Sequence, residues 1–273
     1  MRLLYTSLLL LCLHFTAAAQ DDCSNANPLC NGFLSTGSTI GTTADPGDPA
    51  LSCGDNTVNN SAWFVITGIS NGLATLTVSG IDNNPGLEME VFTGLCGSLT
   101  PVAGTCRSAN GPAGSMTSNF AVTNGTTYYI LVDGSSGNQE DFSIVCSATN
   151  NSIVGTPQAS FTTNVFRGCT PLTVQAFNQT VLYGGTNISY SWKLDTAADI
   201  PSSGADTTFQ ITSVGPHTLL LTVCNDECGC TQFSRTIYVQ ELYPTYAFSP
   251  TNACIGTPVD FSASATIQPA FPP

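Results

Sequence analysis

Cysteine is the residue type with the most chemistry to offer in this chain: its 273 residues include twelve. Cys23, Cys30, Cys53, Cys96, Cys106 and Cys146 fall in a first region, and Cys169, Cys224, Cys228 and Cys230 in a second. Cys254 stands alone near the end, and Cys12 sits in an apolar leader. Thiols at this density become disulfides in an oxidising compartment and invite zinc in a reducing one. The two even sets are disulfide candidates, and Cys254 is expected to find its partner beyond Pro273. Cys228 and Cys230 are too close to bridge each other, so one is expected to join Cys169 and the other Cys224, with three connectivities open. The competing reading makes Cys224, Cys228, Cys230 and Cys169 a zinc site. Cys96 and Cys106 flank a short excursion and are expected to staple a hairpin.

The N-terminus decides between these readings. Arg2 precedes an apolar run over residues 3–15 and then Ala17-Ala18-Ala19, a small-residue cleavage signal. This is the pattern of a secretory signal peptide over residues 1–19. The run stops short of the roughly 20 apolar residues that a spanning helix needs. The chain is therefore expected to be secreted or held at the cell surface, with no membrane insertion in this portion, and disulfides are favoured over zinc.

Acid–base chemistry finds little to work with. Outside the leader the one histidine is His217, which falls inside a strand pattern and is read as structural; a single histidine cannot build H-E-x-x-H, and no G-x-S-x-G elbow is present. No catalytic or cofactor-binding residue is assigned, and the chain is not expected to be an enzyme. Calcium is the one ion considered, because it takes carboxylate and turn-carbonyl oxygens. Asp133, Glu140 and Asp141 around one loop are its candidate ligands, with Asp45, Asp48 and Asp82 as further acids in turns. The net charge is −13, and only 8% of residues are charged. That balance excludes a basic nucleic-acid footprint and a polybasic lipid patch.

The elements that would position these residues read as strands. Short alternating or β-branched runs lie at 62–67 (AWFVIT), 73–78, 87–92 (LEMEVF), 118–122, 127–132 and 141–145, separated by Asn-Gly and Asp-Gly turns. Trp63 and Trp192 fall in such patterns and are expected in cores, while alternation sends one ring of Tyr128-Tyr129 inward and the other outward. Patterning lapses over 149–157, then a second strand series runs at 159–162, 172–177, 188–194, 207–211, 217–223 and 233–239. The segments 157–177 and 244–261 share an order of Pro, Ala, Phe, Cys, Pro, Val and Phe, so residues 244–273 are read as the start of a second, incomplete repeat in a tandem array. The expected fold class is all-β, as successive sandwiches.

Particular motifs carry a family likeness. Pro171–Val174 (PLTV), Tyr190-Ser191-Trp192, Gly215 with His217-Thr218-Leu219, Leu221-Thr222-Val223 and the closing Thr236–Val239 make residues 157–241 resemble a PKD (polycystic kidney disease) domain, which implies an immunoglobulin-like β-sandwich. The chain departs from that family after Trp192, where Lys193-Leu194-Asp195-Thr196-Ala197 replaces the usual acidic Gly-rich turn. Residues 20–150 resemble the pre-peptidase C-terminal (PPC) type of jelly-roll module through Asp22-Cys23, Asn60-Ser61-Ala62-Trp63-Phe64, Glu90-Val91-Phe92-Thr93-Gly94-Leu95-Cys96-Gly97 and Gly125–Gly134 (GTTYYILVDG). Together the resemblances imply a Bacteroidetes-type secreted protein, an N-terminal jelly-roll-like β-sandwich before PKD-like repeats. The function they imply is non-catalytic adhesion or display, with an extracellular protein or polysaccharide as ligand and no nucleic acid. The alternative is an accessory substrate-binding region of a secreted peptidase or glycoside hydrolase whose catalytic domain lies downstream.

Overall fold

The computed structural model describes residues 21–81, 86–109, 114–202, 204–249, 254–256 and 258–267. The leader, Cys12 and Asp82 lie outside the described residues. The chain divides into two units, Met1–Val154 and Gly155–Pro273, and strands build both.

The first unit contains β1 (Asn27–Pro28), β2 (Leu34–Ser38), β3 (Ala62–Thr67), β4 (Gly72–Gly80), β5 (Leu87–Leu95), β6 (Ser98–Pro101), β7 (Arg107–Ala109), β8 (Ser115–Val122), β9 (Thr127–Gly134) and β10 (Asp141–Ala148). One sheet runs β1-β3-β9-β5-β6 with β7 also paired to β5, and the other runs β2-β10-β4-β8. From β2 to β5 and again from β8 to β10, consecutive strands alternate between the sheets, which is the wiring of a jelly roll. Strict alternation along β8 buries every second side chain. Met116, Phe120 and Val122 thereby meet Phe64, Met89, Ile130 and Phe142 in one core. Each such side chain contributes roughly 1.5–3 kcal/mol on leaving water.

The first sheet breaks the alternation, and the break matters for function. Strand β5 opens with six consecutive buried residues, because its outer face is covered as well as its inner one. Cys23 and Leu51, from segments preceding β3, pack there on Trp63, Phe92 and Leu131 to form a second, smaller core. The unit therefore has a partial third layer over the first sheet.

The second unit contains β11 (Phe161–Thr163), β12 (Arg167–Cys169), β13 (Leu172–Asn178), β14 (Ser189–Leu194), β15 (Ile200–Ser202), β16 (Thr207–Ile211), β17 (Gly215–Asn225) and β18 (Gly229–Gln240). Sheets β11-β13-β16 and β12-β18-β17-β14-β15 face each other. The opening segment switches sheets, since β11 pairs antiparallel with β13 while β12 runs parallel to β18. This is an immunoglobulin-like arrangement. Trp192, on β14 between β17 and β15, is fully buried, and its ring meets Phe161 and Phe209. Beyond it, β19 (Leu242–Ser249) and β20 (Asp260–Ile267) pair antiparallel as a two-stranded sheet.

Candidate functional site

The polar side chains that strand alternation places on the outer face of the first sheet are acidic. Glu88 and Glu90 of β5 project there with Phe92, and Asp133 of β9 stands directly opposite Glu88 in the antiparallel register. Segment 51–60 lies over them and is held by their oxygens. Glu90 accepts from Ser52 N at 2.8 Å and Ser52 Oγ at 2.5 Å. Glu88 Oε1 accepts from Ser135 Oγ at 2.9 Å and Asp55 N at 3.2 Å. Asp133 Oδ1 accepts from Asn60 N at 2.7 Å and Asn59 N at 3.0 Å. Close approach of this segment requires Gly54, at φ +71°, because a Cβ there would collide with the Glu88 carboxylate.

Glu88 and Asp133 are 1% and 0% exposed, and Glu88 Oε2 and Asp133 Oδ2 have no hydrogen-bond partner. Burial pushes Asp133 up to about 6; the Asn60 and Asn59 N–H groups oppose this, while Glu88 and Asp55 add repulsion. Asp55 is held below the ordinary carboxylate range by the Thr57 backbone N–H above all, against desolvation.

The three calcium candidates face different partners. Asp133 belongs to the face just described. Glu140 is buried, and its backbone N–H donates to Thr39 Oγ1 at 2.9 Å. Asp141 is exposed at the start of β10, opposite Ser38. Among the described residues no group of three acidic, histidine or cysteine side chains converges as a metal would require. Glu88, the carboxylate that does face Asp133, escapes sequence reasoning because the alternation Leu87-Glu88-Met89-Glu90 reads as a solvent face.

At the other end of the same covered face lies a cavity of about 260 Å³. Asp22, Asp45 and Asp48 line it together with Trp63, Leu99 and the cystine of Cys23 and Cys96. Desolvation first, then Asp21, Asp48 and Asp22, raises the Asp45 pKa. Trp63 is fully buried, and its indole Nε1 has no acceptor in the fold.

The cysteines correct several expectations. Cys96 and Cys106 do not staple a hairpin to each other; Cys96 bonds Cys23 and Cys106 bonds Cys53, each reaching a segment that precedes β3. Cys146, a disulfide candidate, is a free thiol, because β10 turns it into the core of the jelly roll. Burial alone pushes it up to about 12. Cys169 is free too. Cys224 and Cys230 stand opposite each other on β17 and β18 and bond across the hairpin, as one of the expected pairings has it, but Cys228 is also bonded and does not join Cys169. Cys30 is disulfide-bonded, and so is Cys228. Cys254 is free and exposed.

His217 sits in a contact set that resembles a triad on paper. Its Nδ1 lies 2.7 Å from Asp195 Oδ2, and its Nε2 lies 3.4 Å from Ser213 Oγ. Nε2 is nearer, at 3.0 Å, to the Ser213 carbonyl oxygen. Nε2 thus faces the Ser213 carbonyl oxygen more closely than the Ser213 hydroxyl, and the ring is not set against that hydroxyl as general-base work requires. Desolvation raises Asp195, but hydrogen bonds from His217 and the Thr218 N–H outweigh it and leave the carboxyl lowered. The set is a clamp tying the turn after β14 to the start of β17. Asp195 belongs to the stretch where the sequence departs from the PKD pattern.

No protein-family model matches the chain, and no curated protein matches its sequence. Among solved structures, the PKD1 domain of Vibrio anguillarum Epp is 26% identical, covers 32% of this chain and 95% of its own, and superposes with a TM-score of 0.27. The PKD1 domain of the Vibrio cholerae metalloprotease PrtV is 28% identical over 31% of this chain and 96% of its own, with a TM-score of 0.26. The pre-peptidase C-terminal domain of a Bacillus anthracis collagenase is 11% identical over 45% of this chain and 94% of its own, with a TM-score of 0.29.

Proposed function

We propose that the chain is a non-catalytic, exported protein of the cell surface or extracellular space, whose β-sandwiches present binding loops for adhesion or display. The observation that carries this reading is the covalent pinning of loops onto one sheet face. Cys23–Cys96 and Cys53–Cys106 fasten the segments before β3 to the β5–β7 region, the first of them in the wall of an acidic cavity. Such bonds persist where the compartment is oxidising. A rigid frame with fixed loops lowers the ordering cost of binding, which suits recognition. Among the described residues no helix is long and apolar enough to cross a membrane, and the His217 clamp supports the absence of a triad.

The test uses the purified, oxidised chain. It is expected to turn over no peptide, protein or polysaccharide substrate and to be retained saturably on intact cells or on a defined extracellular protein or glycan. Turnover lost in His217→Ala would overturn the proposal. Retention on a polymeric substrate, but not on cells, would move the chain to the alternative of substrate capture beside a catalytic domain.

A further inference from the structure

We propose that the outer edge of β20 pairs with the same edge of a second copy of this chain, antiparallel and centred on position 264, so that two β19–β20 hairpins make one four-stranded sheet. Strands β19 and β20 pair with each other from Leu242–Ile267 to Ser249–Asp260, and among the described residues neither strand takes a second neighbour. A two-stranded hairpin is marginal in water, whereas three or more strands persist. The first sandwich repeat shows the contrast. Pro157, Phe161, Thr170-Pro171 and Ala176 recur at one constant spacing as Pro244, Phe248, Thr257-Pro258 and Ala263, which matches β20 to β13. Strand β13 is flanked by β11 on one edge and β16 on the other, and its Val174 and Ala176 are fully buried. The matching residues of β20 are exposed, Phe261 at 65% and Ala263 beside it.

Proline decides which edge is open. Strand β19 holds Pro244, which has no N–H to give a neighbour and so closes that edge to a further strand. Strand β20 reads DFSASATI and contains no proline, glycine or lysine. Other edges of the chain are guarded: β1 carries Pro28, β6 Pro101 and β15 Pro201, and Arg107 Nε donates to the Thr117 carbonyl of β8 at 3.0 Å. The alternation along β20 then selects the occupant. Residues opposed in an antiparallel pair share a face. Centred on position 264, the copies set Phe261 opposite Ile267, Ala263 opposite Ala265 and Ser262 opposite Thr266. Apolar positions meet apolar ones and hydroxyl positions meet hydroxyl ones, whereas a slip of one residue would mix the faces. Asp260, the one charge of the strand, falls outside the paired stretch. In a chain of net charge −13, an uncharged strand is where two copies approach with least repulsion. Two copies joined there carry two sets of loops, which strengthens retention on a surface without any new contact to it.

The experiment weighs the purified, oxidised chain by sedimentation equilibrium over a range of concentrations, and its mass is expected to double as concentration rises. Ser264→Glu sets like charges opposite each other at the centre of the contact and should weaken dimerisation at least about tenfold. A second measurement does not depend on that variant keeping its hairpin. In a Cys254→Ser background, Ser264→Cys places the introduced thiols face to face, and mild oxidation should join two copies through a bond that peptide mapping finds at that position. Ser262→Cys in the same background lies roughly 13 Å along the strand from its own copy and should stay reduced. A chain that remains monomeric at every concentration, a dimer indifferent to Ser264→Glu, or equal cross-linking at both positions would each overturn the proposal. So would a chain that is monomeric alone and takes up a strand of a different protein at this edge.

Discussion

Glu88 and Asp133 oppose each other across β5 and β9 with one oxygen apiece lacking a donor. Burial above all, and then repulsion from Glu88 and Asp55, favours the protonated form of Asp133. Asp133 is about 6 in the fold against 3.8 as the ordinary value. Between those values the folded chain binds a proton that the unfolded chain has released, so stability is greatest at the acid end of the window and falls as pH rises through 6. The expected loss between pH 5 and pH 7.5 is on the order of 1–2 kcal/mol after discounting for screening. Asp55 and Asp195, both lowered, act in the opposite sense, but only below about pH 4 where ordinary carboxylates titrate. Urea unfolding at the two pH values checks the point. Asp133→Asn keeps an acceptor for Asn59 and Asn60 and should flatten the dependence; Glu88→Gln should weaken it and raise stability at pH 7.5. An unchanged slope in Asp133→Asn would place the titration elsewhere.

At the scale of elements, segment 51–60 is a latch without regular structure, held by three carboxylates from beneath and by Cys53–Cys106 at one point. That bond closes a separation of 53 residues, against 6 for Cys224–Cys230. Loop-closure entropy makes the first worth roughly 4 kcal/mol and the second roughly 2. Calorimetric unfolding of the two double-serine variants should show the larger loss for Cys53→Ser/Cys106→Ser, and an equal or reversed order would mean that the latch is ordered without its bond. The sandwich strands were legible in the sequence from short apolar and alternating runs: the run at 62–67 coincides with β3, and the alternating run at 207–211 coincides with β16. Short edge strands such as β1, β6 and β15 carry too few residues to show a period. Glu88 and Glu90 were illegible for a different reason. Their burial is imposed by a segment more than 30 positions away, and no local pattern reports a third layer. Disulfide pairing failed likewise, since adjacency in sequence suggested Cys96 with Cys106 while the jelly-roll crossings carried them to different partners.

For the whole molecule, sparse charge and oxidised cysteines describe a protein whose stability comes from packed β layers and covalent ties rather than from ion pairs. Only 8% of its residues are charged, so the polar surface consists largely of Ser, Thr and Asn, as in the cross-strand pairs Thr75–Asn119 and Ser79–Ser115 on the second sheet. Such a molecule should tolerate salt well and reductant poorly. Its thiols give a sharper test, because the three that are free among the described residues occupy three environments: Cys254 exposed, Cys169 half-buried and Cys146 fully buried. Thiolate is the reactive form, and burial pushes Cys146 up to about 12. Maleimide labelling of the folded chain near pH 7, followed by peptide mapping, should modify Cys254 first, Cys169 more slowly and Cys146 only once denaturant opens the core. The bonded cysteines should remain unlabelled until a reductant is added. Early labelling of Cys146 would mean that β10 does not seal the jelly-roll core, and labelling of Cys53 or Cys106 without reductant would mean that segment 51–60 is not pinned.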